Sequence, residues 1–399
     1  MHKTEQPLSG ITVLDAATFI AGPSCAALLG EFGADVIKVE TPAGGDPLRR
    51  LGTRAGDDSS LLWLNEGRGK RSVTLNLKDE RGADLFTRLA AQADVVIENF
   101  RPGTLERWGL GYEALRKDNK SLIMLRVSGF GQTGPYKDRP GFARIAHAVG
   151  GLTHLTGEAG GAPLTPGSTS LADYMSGLYG AIGILLALRH RDATGEGQVI
   201  DVALYESVFR ALDEIAPAHA LTGLVRGRQG AGTVNACPHG HFPTRDDKWV
   251  AIACTNDKMF ARLAEVMAQP GLAQTYGTVA RRLAAQDIVD GLVRDWCLMH
   301  DQADIVALCD AGQVPCGAVL AIDDILKDAH FKARGTLKDM DVPGIGPLPF
   351  PAPLPRMSAT PGQLRALGPD LGADTADILS AMLGLTAQDL ARLKSDGVI

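Results

Sequence analysis

Several features that would place this chain quickly are missing from it. Its six cysteines (Cys25, Cys237, Cys254, Cys297, Cys309 and Cys316) contain no CxxC pair. That argues against a zinc site and a disulfide framework, and for reduced thiols in a cytoplasmic setting. The first ten residues, "MHKTEQPLSG", have neither the apolar core of a signal peptide nor the arginine-rich pattern of a transit peptide. The longest apolar run, "LADYMSGLYGAIGILLAL" (Leu171–Leu188), is interrupted by glycines and taken as too short for the roughly 20 residues of a bilayer span. No membrane partner is expected. A net charge of -6 provides no field for nucleic acid. No GxGxxG or Walker loop follows the first expected strand, which counts against a nicotinamide-dependent dehydrogenase. His239 and His241 in "PHGHF" lack a nearby third ligand, so no metal is expected. No repeat of solenoid or propeller period is present.

What remains is a globular composition, 45% apolar and 22% charged over 399 residues, long enough for two domains. Strands are expected at Ile11–Ala17, Asp35–Glu40, Ser72–Lys78, Asp94–Phe100 and Ser121–Phe130, with helices at Pro23–Ala34 and Gly82–Gln92. This βαβ rhythm predicts an α/β fold, a Rossmann-like, mostly parallel sheet with helices on both faces. Ligands of such sheets bind at the carboxyl ends of the strands, where "TFIAGP", "NFRPG" and "SGFGQTGP" fall. Residues 1–222 are expected to form the large domain. A glycine-rich linker or lid (223–240) follows, then a smaller α/β domain (241–325). Residues 326–399 return to the large domain, with the proline-rich "VPGIGPLPFPAPLPRMS" as an extended surface segment.

Three stretches can carry chemistry. "EGRGKRSVTLNLK" gathers Arg68, Lys70, Arg71 and Lys78, as a binding edge or as a solvated turn. "ENFRPGTLERWGLGYEAL" puts Asn99, Arg101 and Arg107 around a helix start, which suits a phosphate. In "LADYMSG", Asp173 opens a helix otherwise built for burial. Such an aspartate either caps the helix or acts as a nucleophile held in a dry site.

Taken in order, these stretches resemble the class III (family III) CoA-transferases, the group of formyl-CoA transferase, carnitine CoA-transferase and the α-methylacyl-CoA racemases. The matching segments are "LSGITVLDAATFIAGPSCAALLGEFGADVIKVE", "GKRSVTLNLK", "ADVVIENFRPGTLERWGLGYEAL", "SGFGQTGPY", "LADYMSGLYGAIGILLAL", "TGEGQVIDVALYESV" and "VPCGAV". The resemblance implies that Asp173 is the nucleophile and that CoA passes from an acyl-CoA donor, succinyl-CoA or another dicarboxylyl-CoA, to a carboxylic acid through an aspartyl-CoA thioester. It implies CoA contacts at Ile20, Ala21, Leu75, Asn76, Leu77, Lys78, Asn99, Phe100, Arg101, Arg107 and Phe142. It also implies a substrate loop at Gly230, Ala231 and Gly232 whose N–H groups face the reacting carbonyl, no cofactor, and an interlocked homodimer.

The chain departs from parts of that group. Ile20 stands where formyl-CoA transferases carry glutamine, and Thr41 where some relatives carry arginine. Phe142 and Ala143 replace the histidine and acid of the racemases. A racemase needs a base on each side of the α-carbon, so transfer is favoured over racemisation. A non-catalytic acyl-CoA-binding protein would have no use for Asp173. His147 is expected to be an interior, satisfied histidine. Arg144, Arg226 and Arg228 are candidates for a substrate's distal carboxylate, with surface salt bridges as the alternative.

Overall fold

The computed structural model describes residues 6–57, 59–167 and 169–399. Six strands, β1 (Thr12–Asp15), β2 (Asp35–Glu40), β3 (Lys70–Thr74), β4 (Val95–Glu98), β5 (Ile123–Ser128) and β6 (Val199–Ala203), form a parallel sheet in the order β3-β2-β1-β4-β5-β6. Alternation along each strand divides the side chains between two cores. Val13, Val95, Ile97, Ile123 and Leu125 face one cluster with α1 (Ala21–Glu31). Leu14, Ile37, Val73, Val96 and Met124 face the other with α2 (Glu80–Ala90). On that second face the chain's end comes back. Asp374 and Thr375 accept hydrogen bonds from the N–H groups of Ser72 and Thr74, at 2.8 and 3.0 Å, and so cover the outer strand β3.

Beyond β4 lie the short helices α3 (Thr104–Arg107) and, after β5, α4 (Ala143–Val149). The long helix α5 (Leu171–Thr194) follows, and α6 (Leu204–Phe209) comes after β6. At 24 residues α5 is long and apolar enough to cross a membrane by length and composition, with 44% of its most apolar window buried. The expectation of too short a run is thereby corrected: an 18-residue stretch within the helix is apolar enough by mean hydropathy, and the charged Arg189–Thr194 adds helix length but little apolar surface. It packs along α1, β5 and β6 as a core helix. Gly177 makes the close approach possible: a Cβ there would stand 2.4 Å from Ser24 Oγ and 2.9 Å from the Ala21 carbonyl. Gly195, left-handed at φ 78°, ends the helix.

Contacts divide the chain into two units, Met1–Leu152 with Thr165–Glu214 and Gly335–Ile399, and Thr153–Leu164 with Ile215–Arg334. The second is built on a three-stranded antiparallel sheet of β7 (His239–Pro243), β8 (Trp249–Ala253) and β9 (Cys316–Ala318). Its core holds Phe260, Leu263, Val293, Trp296 and Ile305, with Cys237, Cys254, Cys297 and Cys309. The proline-rich segment, expected to be extended, supplies the strand β11 (Gly346–Pro351), which pairs with β10 (Leu337–Val342) as a hairpin. Pro347, Pro349 and Pro351 alternate. Their missing N–H groups therefore fall on one side of β11, and the other side remains free to pair.

Candidate active site

The chain leaves neighbouring strands β1 and β4 toward opposite sides of the sheet, the switch point where open α/β sheets bind ligands. Two cavities meet there, and Thr18 and Phe100 line both. The larger, about 670 Å³, is bordered by Lys38 to Ala43, Leu75 to Lys78 and Trp108. The smaller, about 190 Å³, is bordered by Phe19 to Ala21, Asn99 to Pro102, the end of β5, Lys137, Arg139 to Phe142, and Asp173.

Asp173 does not cap α5. The cap position is Ser170, and Asp173 is the third helical residue, its N–H donating to the Ser170 carbonyl at 3.0 Å. Burial pushes its carboxyl up from 3.8 to about 6, and a hydrogen bond with Ser170 pulls against that rise. The helix start adds a favourable field for the anion. The N–H of Ala172, one residue earlier, is taken by a side chain: His147 Nε2 accepts it at 2.9 Å. His147 is interior, as expected, at 1% exposure, but only half satisfied, since Nδ1 has no partner among the described residues. Burial, and secondarily Arg144, holds its pKa down, which keeps the ring an acceptor.

Beneath the cavities lies a set of buried charges; Lys70 stood out in the charged turn, the others did not. Lys70 donates to Asp15 and to the Pro23 carbonyl at 2.8 and 2.7 Å. Lys38 lies 3.0 Å from Asp46 and also bonds the Ala17 carbonyl. Glu40 takes a fork from Arg49, both contacts at 2.8 Å. Asp46 Oδ1 in turn accepts from Phe19 N at 3.2 Å and Leu48 N at 2.9 Å. Phe19 sits at φ 62°, a left-handed conformation uncommon outside glycine. The Lys38–Asp46 pair thus fixes the turn that carries Ile20 and Ala21 into the cavity wall. Lys38 was legible only as a lysine inside an apolar strand, "DVIKVE".

The remaining residues from the sequence sort as follows. Ile20, Ala21, Asn99, Phe100, Arg101, Phe142 and Asp173 border the smaller cavity. Leu75, Asn76, Leu77, Lys78 and Phe100 border the larger one. Asn99 uses both ends of its amide on the Thr18 backbone, at 2.8 and 2.6 Å, tying the β4 loop to the β1 loop. Arg107 borders neither cavity and donates to Thr104 Oγ1 at 3.0 Å. Of the charged turn only Lys78 reaches a cavity; Arg68 pairs with Glu31 and Arg71 with Asp35. Gly230 and Gly232 belong to the second unit, and their N–H groups are spent on Gly157 and Gln229. Arg144 donates to Thr165, and Arg228 to the His154 carbonyl. Among the described residues no group of three or more His, Cys, Asp or Glu could hold a metal ion. Ser128, Lys137 and Arg139 border the Asp173 cavity without having been singled out. They lie in and just after the quoted "SGFGQTGP" loop, which marked a place but not a role.

Comparison with known proteins shows the family and the fold. Residues 8–375 match the model of CoA-transferase family III. The β subunit of succinyl-CoA–L-malate CoA-transferase from Chloroflexus aurantiacus is 55% identical, over 99% of either chain. The α subunit from the same species is 51% identical, over 98% of this chain and 92% of its own. The crystal structure of a CAIB/BAIF family protein from Brucella suis superposes with a TM-score of 0.83 at 35% identity, covering 95% of this chain and all of the other.

Proposed function

The chain belongs to CoA-transferase family III and is a CoA-transferase, and on that premise we propose that it passes CoA from succinyl-CoA to L-malate through an aspartyl-CoA thioester on Asp173. The observation that carries the mechanism is the placement of Asp173. Among the described residues it is the one carboxylate in the wall of a small cavity that joins, at Thr18 and Phe100, a larger cavity of a size suited to the nucleotide. The named activity of the two Chloroflexus subunits supports the pair of acids.

Ionised Asp173 attacks the thioester carbonyl, the C–S bond breaks, and CoA thiolate leaves behind a mixed anhydride. The thiolate then attacks the aspartyl carbonyl and succinate departs. Malate repeats the two steps in reverse, releasing malyl-CoA and the free carboxylate, with no net change in protons. A carboxyl held near 6 is still ionised at neutral pH and is more basic than an ordinary aspartate, so position and partial desolvation supply the activation. The start of α1, whose first N–H groups have no partner within the helix, borders the cavity at Ile20 and Ala21 and supports stabilisation of the oxyanions. Racemisation is disfavoured by Phe142, a hydrocarbon edge-on to Phe19 at 5.8 Å where the racemases need a titratable group.

A dimer, interlocked as in the resembling family, is supported by the exposed apolar strip Leu178, Ile182, Leu185 and Leu186 on α5. A cytoplasmic location is supported by six free cysteines. The test is product mass: incubation with succinyl-CoA and L-malate is expected to give malyl-CoA and succinate in equal amounts. Hydrolysis to succinate and free CoA alone would refute the assignment.

A further inference from the structure

Part of the Asp173 cavity wall has no task in the transfer steps. Ser128, at the end of β5, is 9% exposed, and its Oγ is buried without a hydrogen-bond partner among the described residues. A buried hydroxyl in that state is unfavourable until something fills its bond, and Ser128 borders the cavity. On the loop that follows β5, Lys137 and Arg139 border it too. The Arg139 guanidinium lies 3.6 Å from the centroid of the Tyr136 ring, and no other side-chain bond or ion pair is made by it or by Lys137 among the described residues. Arg126 and Arg144 differ, the first being spent on Glu98 and Glu106 and the second on Thr165; Arg101, in the same wall, belongs to the expected CoA contacts.

Location separates this wall from the CoA end. Thr18 and Phe100 join the two cavities, whereas Ser128, Lys137 and Arg139 border only the smaller one. They share that cavity with Asp173, where the acid reacts. A dicarboxylic acid brings a second negative charge beside Asp173, and two anions in a partly desolvated site need a compensating cation. An arginine already pinned flat on an aromatic ring presents its donor edge to a carboxylate at little entropic cost.

We propose that Ser128, Lys137 and Arg139 form the subsite that holds the remote carboxylate of a dicarboxylic acid while its other carboxylate reacts at Asp173. The assignment rests on the transfer mechanism above and adds its determinants of acid specificity. The test uses labelled succinate and labelled butyrate, acids of equal length, as acceptors with unlabelled succinyl-CoA. In double-displacement kinetics kcat/KM for the acceptor is independent of the donor half-reaction. For the Lys137→Met/Arg139→Met variant the value for succinate is expected to fall about 100-fold and that for butyrate to change less than about 3-fold. Ser128→Ala is expected to lower the succinate value about 10-fold, and Arg139→Lys to retain part of it. Melting temperature monitors folding of each variant. Equal losses with both acids, or no loss with either, would overturn the subsite while leaving transfer through Asp173 intact. A wild-type protein that exchanges label into CoA thioester with neither acid would overturn the transfer mechanism and the subsite together.

Discussion

The floor and the far wall of the site use charge in opposite ways. In the floor, Asp15, Lys38, Glu40, Asp46, Arg49 and Lys70 are almost entirely buried and each has an opposite partner. In the wall, Asp173, Lys137 and Arg139 make no salt bridge among the described residues. Paired buried charges fix geometry, here the Phe19 turn, and cannot be given up to a ligand without leaving a partner stranded. Charges without ionic partners are available for chemistry and recognition. The contrast therefore assigns structural roles to the floor and functional ones to the wall, and each assignment can be broken by substitution.

The largest expected effect on activity is Asp173→Ala, which should lower CoA transfer by more than about 10³-fold while CoA affinity holds and the melting temperature does not fall; near-normal turnover would end the nucleophile assignment. For stability, the largest effect belongs to the floor. Lys38→Met strands Asp46 and should cost about 3–5 kcal/mol in denaturant unfolding. A cost below about 1 kcal/mol would mean the network is not a structural device.

Asp173→Asn sharpens the contrast from the other side. The folded carboxyl, at about 6, lies above its ordinary 3.8 because of burial. Ionised Asp173 therefore destabilises the fold, fully above about pH 6, and the penalty fades as pH falls toward 4. The amide should raise stability at pH 7.5 by about 2 kcal/mol, after allowance for partial exposure, and by almost nothing at pH 4. In wild type kcat/KM for succinyl-CoA should fall as pH drops through about 6. The smallest effect belongs to Phe142: 2-methylacyl-CoA incubated in D2O should gain no α-deuterium, and rapid exchange would move the chain to the racemase branch.

Strand β2 was legible to the residue, because the β-branched Val36, Ile37 and Val39 of Asp35–Glu40 are followed by the turn residues Pro42, Gly44 and Gly45. Strand β3 begins two residues before its expected start, at Lys70. A lysine buried against Asp15 looks in sequence like the edge of a charged turn. Asp173 stood out because it is the one charged residue in a long apolar stretch. The positions around both cavities followed from ordered motifs. The Lys38–Asp46–Phe19 connection was not legible, since only the folded chain brings these three together. The same limit hid Ser128: an unsatisfied hydroxyl is a property of surroundings, not of a residue type.

The most direct test is to mix the protein with succinyl-CoA and no acceptor, quench with hydroxylamine or borohydride, and map the modified peptide by mass. Donor-dependent modification of Asp173 alone is predicted, with Asp15, Asp201 and Asp213 untouched. A donor-dependent label on a cysteine such as Cys25, or none anywhere, would contradict transfer through an aspartyl thioester.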